Sequence, residues 1–320
     1  MNIKNYCHQI MTAAEIEDRE SWLKVRSQSI GGSDAAAILG MNPWKSAYTL
    51  WLEKTGQTSQ EDISDNEYVH FGNVLEKVVA DEFCRRERKK VRKCGLFRSN
   101  RYPFMTASFD RLLVGEDAGL ECKTSNAFKR EEWDEGEIPP SYYVQCQHYM
   151  MVSGLPRWYI ACLIGGNHFV SWIVERNEED IVALEQAEVE FWDKVQRHIM
   201  PKVDGSDSSA SSLQKIYKGG NVEPVTLPME SIELLKRFDE LKAMKANIET
   251  QVNDVQNKLC AMLGDNEIGI ICEGEENERI ITWKTVSGRT TIDTKKLKKE
   301  LPDVFEKYSK KSADSRRFSA

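Results

Sequence analysis

Asp110, Glu121 and Lys123 are the residues of this sequence whose types and spacing most directly suggest chemistry. Glu121 and Lys123 stand two apart in Leu120-Glu121-Cys122-Lys123, so on a strand both side chains leave the same face of a sheet. A hairpin through residues 116–119 lays Asp110 opposite them. Two carboxylates converging beside one lysine repel each other, and a divalent cation relieves the repulsion. Hard oxygen ligands select magnesium, with manganese as its substitute. In such a centre Asp110 and Glu121 hold the ion, joined by the backbone carbonyl of Cys122, and Glu76 enters from an upstream helix to complete its surroundings. The ion lowers the pKa of a bound water and neutralises charge on a phosphate. Lys123 orients that water, helps deprotonate it or stabilises the transition state. Gln145, on a downstream helix, holds Lys123 or the water in line. The plainer alternative is a charge pair across two solvent-facing strands. Against it, these acids follow apolar residues, in Ala107-Ser108-Phe109-Asp110 and Leu120-Glu121, where charges are more often functional than decorative.

The elements that must position these residues show in the hydrophobic pattern. Ser33 reads as the N-cap of a short helix over 34–39 that stops at Gly40, and a second helix spans 46–55 and ends at Gly56. A third, over 70–86, carries Phe71, Leu75, Val78, Val79 and Phe83 on one face. Strand-like stretches cover 91–98, 103–114 and 119–124. A helix over 141–152, strands over 157–163 and 169–174, and a charged amphipathic helix over 178–200 follow. This order predicts an α/β domain over 1–201, a mixed sheet flanked by helices. Residues 202–212, KVDGSDSSASS, read as a linker. The remainder, 213–320, opens with a long helix whose apolar positions from Leu234 to Met262 alternate spacings of four and three, a heptad seam interrupted by Lys245. The seam suits assembly or partner binding, or simply the small β-unit that follows at 268–272 and 279–286. A basic, partly loose tail begins at 294.

Composition bounds the rest. With 320 residues, 40% hydrophobic and 30% charged, the chain reads as an ordinary soluble protein. No stretch approaches the roughly 18 apolar residues of a membrane span. The first residues lack a basic start followed by an apolar core, so a cytoplasmic location is expected. The eight cysteines contain no Cys-x-x-Cys pair, which argues for reduced core thiols over a zinc ribbon, a disulfide framework or an iron–sulfur cluster. A formal charge of −7 is unusual for a DNA binder. Yet nine basic residues and one acid lie between Arg85 and Arg101, just before the candidate site. Alone, that run reads as a solvated face. His148 reads as a packing or surface residue. Trp22, Trp44, Trp51 and Trp133 read as packing aromatics, with Trp44 and Trp133, in loops, the stronger candidates for base stacking.

Asp110 followed by Glu121-x-Lys123, with Glu76 in a preceding helix, resembles the PD-(D/E)xK nuclease superfamily. Further blocks narrow the likeness: Arg26-x-x-x-Ile30-Gly31-Gly32-Ser33-Asp34, Gly40-x-Asn42-Pro43-Trp44-Lys45-Ser46, Phe71-Gly72-x-x-Leu75-Glu76 and Tyr143-x-Gln145-x-Gln147. Together they resemble the YqaJ-type viral recombinase nucleases, relatives of the phage lambda exonuclease, over roughly residues 20–200. The proline of the motif's name is absent, Phe109 preceding Asp110. The resemblance implies a restriction-endonuclease-like core and a magnesium-dependent 5′→3′ exonuclease on linear double-stranded DNA. Its product would be 3′ single strands for a single-strand annealing protein in phage-type recombination, encoded by a phage or prophage. It also implies a homo-oligomer, since relatives can form ring-shaped trimers around DNA. It assigns Arg26 and Ser33 to the 5′-terminal phosphate, with Ser108 nearby. The Arg26 fork and the N–H groups of a helix start suit an anion; the plainer reading makes Ser33 an N-cap and Arg26 a salt-bridge partner. The rivals are an endonuclease or structure-specific nuclease of the same fold and a non-catalytic DNA-end-binding protein.

Overall fold

Residues 3–59, 66–272, 274, 278–311 and 315–319 are described by a computed structural model, in two units, Met1–Lys218 and Gly219–Ala320. In the first unit β1 (Cys7–Met11) leads into α1 (Arg19–Ser27), α2 (Gly32–Ile38), α3 (Ala47–Lys54) and α4 (Glu67–Glu87). Five strands follow: β2 (Val91–Lys93), β3 (Leu96–Ser99), β4 (Thr106–Ser108), β5 (Arg111–Leu113) and β6 (Ala118–Ser125). The unit closes with α5 (Pro140–Ser153), β7 (Arg157–Ile164), β8 (His168–Glu175), α6 (Glu178–Gln196) and α7 (Asp207–Ile216).

One sheet has the order β2-β5-β6-β7-β8 and another the order β1-β3-β4. Every neighbouring pair is antiparallel except β6 and β7, which run parallel and are joined through α5. A parallel pair needs such a crossover. The fold is therefore the mixed α/β arrangement that the pattern predicts, with more strands. Two of the expected stretches are broken. Residues 91–98 divide at Gly95, where an added Cβ would stand 1.9 Å from the Met11 carbonyl oxygen, so only glycine lets the chain pass β1 there. Residues 103–114 divide at Phe109 and Asp110, sending β4 to one sheet and β5 to the other.

The largest core cluster joins Phe109, Tyr149, Met150 and Trp158, between α5 and the sheets. A second sets Val79, Ala80 and Phe83 of α4 against Leu113, Leu120 and Tyr159. Phe71 and Val78, expected on that buried face, are 53% and 50% exposed, because α4 meets the strands through the turn from Val79 to Phe83. Residues 207–212 of the serine-rich stretch expected as a linker open α7. Its Leu213 and Ile216 pack with Trp51, Phe191 and Val195. Ser208, Ser209 and Ser212 exchange hydrogen bonds with Ser46, the N-cap of α3, and with Thr49 in its first turn. Composition suggested flexibility where the hydroxyls in fact have partners, and the first unit runs on to Lys218.

The second unit holds α8 (Glu230–Leu263), the antiparallel pair β9 (Ile268–Ile271) and β10 (Arg279–Thr282), α9 (Thr294–Glu300) and α10 (Pro302–Tyr308). Leu234, Leu241, Ile248, Val252, Val255 and Met262 of the heptad seam are all exposed, so the β-unit does not cover them. It meets Leu263 instead, at Gly269. All eight cysteines are free thiols, four of them buried. Among the described residues no helix is long and apolar enough to cross a membrane.

Candidate active site

Asp110 ends the β4–β5 break, and the register Arg111↔Leu120 brings it alongside Glu121. Its Oδ2 accepts a hydrogen bond from the Cys122 N–H at 2.8 Å. Glu121 and Lys123 share a face of β6, as their spacing predicts, and Lys123 Nζ donates to Glu121 Oε1 at 2.6 Å. Gln145, carried across by α5, donates to the same oxygen at 2.7 Å and accepts from Lys123 at 3.2 Å. The five residues named from the sequence do not all converge equally. Asp110, Glu121, Lys123 and Gln145 form one network, whereas Glu76 reaches it from α4 with Oε1 bonded to Arg111 Nη1.

Three contributors to this network carried no signal that singled them out. Tyr149, one helical turn beyond Gln145, is bonded to the Gln145 amide at 2.6 Å. Tyr142, on the preceding turn, lies under Lys123, whose Nζ is 4.7 Å from the ring centroid. Arg111 follows Asp110 directly and also donates to the Asp110 carbonyl oxygen. The spacing of Tyr142, Gln145 and Tyr149 on a helix is the one hint the sequence held.

The electrostatics are those of an overcrowded acidic centre. Burial, and then the charges of Glu121 and Glu76, push the Asp110 carboxyl well above the usual carboxylate range, against the pull of Lys123 and the Cys122 N–H. Burial works against the Lys123 charge, but Glu121, Tyr142 and Asp110 outweigh it and hold the ammonium above its usual range. In the metal-free protein Lys123 is thus a charged donor and not a base. Burial also pushes the Cys122 thiol up, helped by Asp110 and Glu121.

A divalent cation fits these donors. Glu121 is 3% exposed, and its Oε2 is buried with no hydrogen-bond partner among the described residues. An orphaned carboxylate oxygen beside a second carboxylate is unfavourable until a cation meets it. No group of three or more His, Cys, Asp or Glu among the described residues is arranged to hold a metal. Asp110 and Glu121 are the adjacent carboxylates there, and Glu76, expected to complete the ion's surroundings, is bonded to Arg111. A two-carboxylate site completed by water and phosphate is an ordinary setting for magnesium.

Arg26, Ser33 and Asp34 form a second cluster. Arg26 Nη2 donates to Ser33 Oγ at 2.7 Å and to Asp34 Oδ1 at 3.1 Å. Lys54 of α3 donates to Asp34 Oδ2 at 2.9 Å and to the Arg26 carbonyl oxygen at 2.6 Å. Burial raises the pKa of Asp34, but Lys54, Arg26 and Lys45 overcome it and hold the carboxyl far below its usual range. Ser33 is not the N-cap: Gly31 occupies that place, and its N–H donates to Asp34. The helix starts two residues earlier because the Asp34 side chain, not a serine hydroxyl, satisfies that end. Arg26 Nε is buried and has no hydrogen-bond partner among the described residues. Ser108 lies in β4, two residues before Asp110 and two after Thr106, whose N–H donates to Ile30 O. The two clusters also meet at Gly32, where an added Cβ would stand 2.5 Å from the Tyr149 ring. Only glycine lets α2 approach α5 so closely.

The residues set aside earlier fall into place. His148 is fully buried; its Nε2 faces the Thr106 carbonyl oxygen and must carry a proton, while Nδ1 faces Glu188 at 2.7 Å. Trp51 and Trp133 are core residues and Trp44 is 78% exposed. Much of the basic run is paired with acids, Arg85 and Arg86 with Glu82, Lys89 with Glu116, Arg101 with Glu185.

The profile of the YqaJ-like viral recombinase domain matches residues 21–156. Over 306 residues, spanning 94% of this chain and 93% of the relative, the sequence is 42% identical to protein YqaJ of Bacillus subtilis (strain 168). Among solved structures the chain is similar to the alkaline exonuclease LHK-Exo of Laribacter hongkongensis, at 19% identity over 56% of this chain and 94% of that one, TM-score 0.48. It is also similar to LHK-Exo in complex with dAMP, at 18% identity over 62% and 98%, TM-score 0.47.

Proposed function

The chain belongs to the YqaJ-like viral recombinase family, and from that premise we propose that it is a divalent-metal-dependent deoxyribonuclease that digests linear double-stranded DNA from its ends. The observation that carries this reading is the buried Glu121 Oε2, unpartnered among the described residues, beside Asp110 and Lys123. Asp110, Glu121 and the Cys122 backbone carbonyl hold magnesium, or manganese in its place. When bound, such an ion supplies Lewis acidity toward a phosphate oxygen and toward water.

The chain's own groups do the rest. Gln145, fixed by Tyr149, holds the Lys123 ammonium and Glu121 in register. Lys123 presents positive charge where charge builds on the phosphate. Arg26 and Ser33, with Ser108, take the 5′-terminal phosphate, which sets a 5′→3′ direction. Asp34 and Lys54 hold Arg26 in place. The product, a duplex with 3′ single strands, is the substrate of a single-strand annealing protein, and the enzyme works as a homo-oligomer in the bacterial cytoplasm.

Digestion of one linear duplex labelled at either end, with and without 5′-phosphate, tests this directly. Magnesium-dependent loss of the 5′ label first, slowed when the phosphate is missing, is the expected result. Cutting of covalently closed circular DNA would replace it with the endonuclease reading, and binding of ends without digestion would replace it with a non-catalytic one.

A further inference from the structure

We propose that the buried pair His148 and Glu188 is a positioning device that sets the spacing between the Arg26–Ser33 cluster and the acidic centre, and so the dependence of digestion on a 5′-phosphate. The inference rests on the end-directed reading given above. Both side chains are wholly buried, and neither belongs to either cluster. His148 Nε2 donates to the Thr106 carbonyl oxygen at 2.9 Å, and Nδ1 meets Glu188 Oε1 at 2.7 Å. Nε2 carries one proton, and a second is shared between Nδ1 and Oε1. The pair is neutral overall whichever of those two atoms holds it, which is what lets it lie away from water.

Thr106 is the stem of both clusters. On one side its N–H donates to Ile30 O at 2.8 Å and its hydroxyl shares a hydrogen bond with Ser29 at 2.9 Å, which holds the segment that runs into Gly31 and Ser33. On the other side β4 runs on from Thr106 to Ser108, two residues before Asp110. The helix α5 grips this stem through His148 and the acidic centre through Gln145, three residues earlier on the same helix. Glu188 comes from α6 and fixes the imidazole against the stem. The hydrogen bonds described within the Arg26 cluster and within the acidic centre do not involve His148. Loss of the imidazole therefore leaves both clusters formed and alters what joins them. An anchor displaced by about 1 Å from the reacting bond can cost on the order of 100-fold in rate. His148 thus acts through Thr106, as a positioning residue.

Steady-state digestion of one linear duplex, with a 5′-phosphate and with a 5′-hydroxyl, by full-length variants tests this. The wild type is expected to prefer the phosphorylated duplex. His148→Leu should lose about tenfold or more of that preference, through kcat, while its rate on the 5′-hydroxyl duplex stays at the wild-type value. Glu188→Gln keeps the preference, because its amide donates to Nδ1 and leaves Nε2 bonded to Thr106. A His148→Leu protein that keeps the preference, or that loses activity on both duplexes in equal proportion, overturns the proposal, as does loss of the preference in Glu188→Gln. Should His148→Leu fail to fold, Glu188→Leu is read in the same way; it frees the imidazole and also removes the buried Oε2 that has no hydrogen-bond partner among the described residues. A wild type indifferent to the 5′-phosphate overturns the end-directed reading and this inference together, whereas a preference that survives in His148→Leu overturns this inference alone.

Discussion

At the scale of the residue, the division of labour in the acidic centre gives graded expectations. Asp110→Ala and Lys123→Ala remove a ligand and the central charge, and each should abolish magnesium-dependent digestion while leaving DNA binding largely intact. Gln145→Ala removes a group that acts through Glu121 and Lys123, and should lower the rate by about 10–100-fold, the usual range for residues that orient ligands. Equal rates for wild type and all three variants, measured on one labelled duplex, would remove the site from consideration. The pH dependence follows from Asp110. Its carboxyl is held well above the usual range by burial and by Glu121 and Glu76, so an ion binding there competes with a proton. Affinity for Mn2+ should therefore rise with pH through the range in which Asp110 ionises, and should flatten in Asp110→Asn. A wild-type affinity independent of pH would contradict this. Asp110, Glu121, Lys123 and Gln145 could be singled out from type and spacing. Arg111, Tyr142 and Tyr149 could not, because an arginine in a strand and tyrosines in a helix are too common to carry meaning until their partners are known.

At the scale of the element, the two clusters are held by short pieces whose ends matter more than their lengths. Asp34 ties α1, α2 and α3 together through Arg26, the Gly31 N–H and Lys54. Asp34→Asn leaves Lys54 buried without its counter-charge, and should cost about 3–5 kcal/mol of stability. The pH behaviour has a definite sign. A carboxyl whose folded pKa is depressed contributes stability that is fully present above its unfolded value of about 3.9, and loses it as pH falls toward the folded value. The gap between wild type and Asp34→Asn, measured by denaturant unfolding at a series of pH values, should accordingly narrow below about pH 4. A gap that widens there would refute the depressed pKa. Element types were mostly legible from periodicity. The breaks at Gly95 and Asp110 were not, because the strand pattern continues through them and only the sheet to which each piece pairs reveals the division.

At the scale of the whole molecule, all the principal core clusters draw on residues up to Ile216. A chain ending at Lys218 should therefore fold on its own and unfold in a single cooperative transition, by far-ultraviolet circular dichroism and tryptophan fluorescence together. A chain ending at residue 201 lacks α7 and leaves Trp51, Phe191 and Val195 partly uncovered, so it should melt lower than the 218-residue form. Equal melting temperatures would mean that α7 adds nothing to the first unit. The exposed seam on α8 was legible as a heptad pattern, but a pattern names a geometry and not an occupant.

The sequence by itself determined the α/β class, the residues of the acidic centre and the family to which they point, because side-chain chemistry and strand spacing are local properties. Only the tertiary structure decided what surrounds that chemistry. It leaves Glu121 Oε2 without a partner among the described residues, sets Tyr149 behind Gln145, and puts Arg111 against Glu76. It also moves Ser33 from a cap to a partner of Arg26 and turns residues 207–212 of a supposed linker into the start of a packed helix. The physical reason is the same in each case. Whether a buried polar group is paired depends on atoms brought in from distant parts of the chain, and no local pattern of residues specifies them.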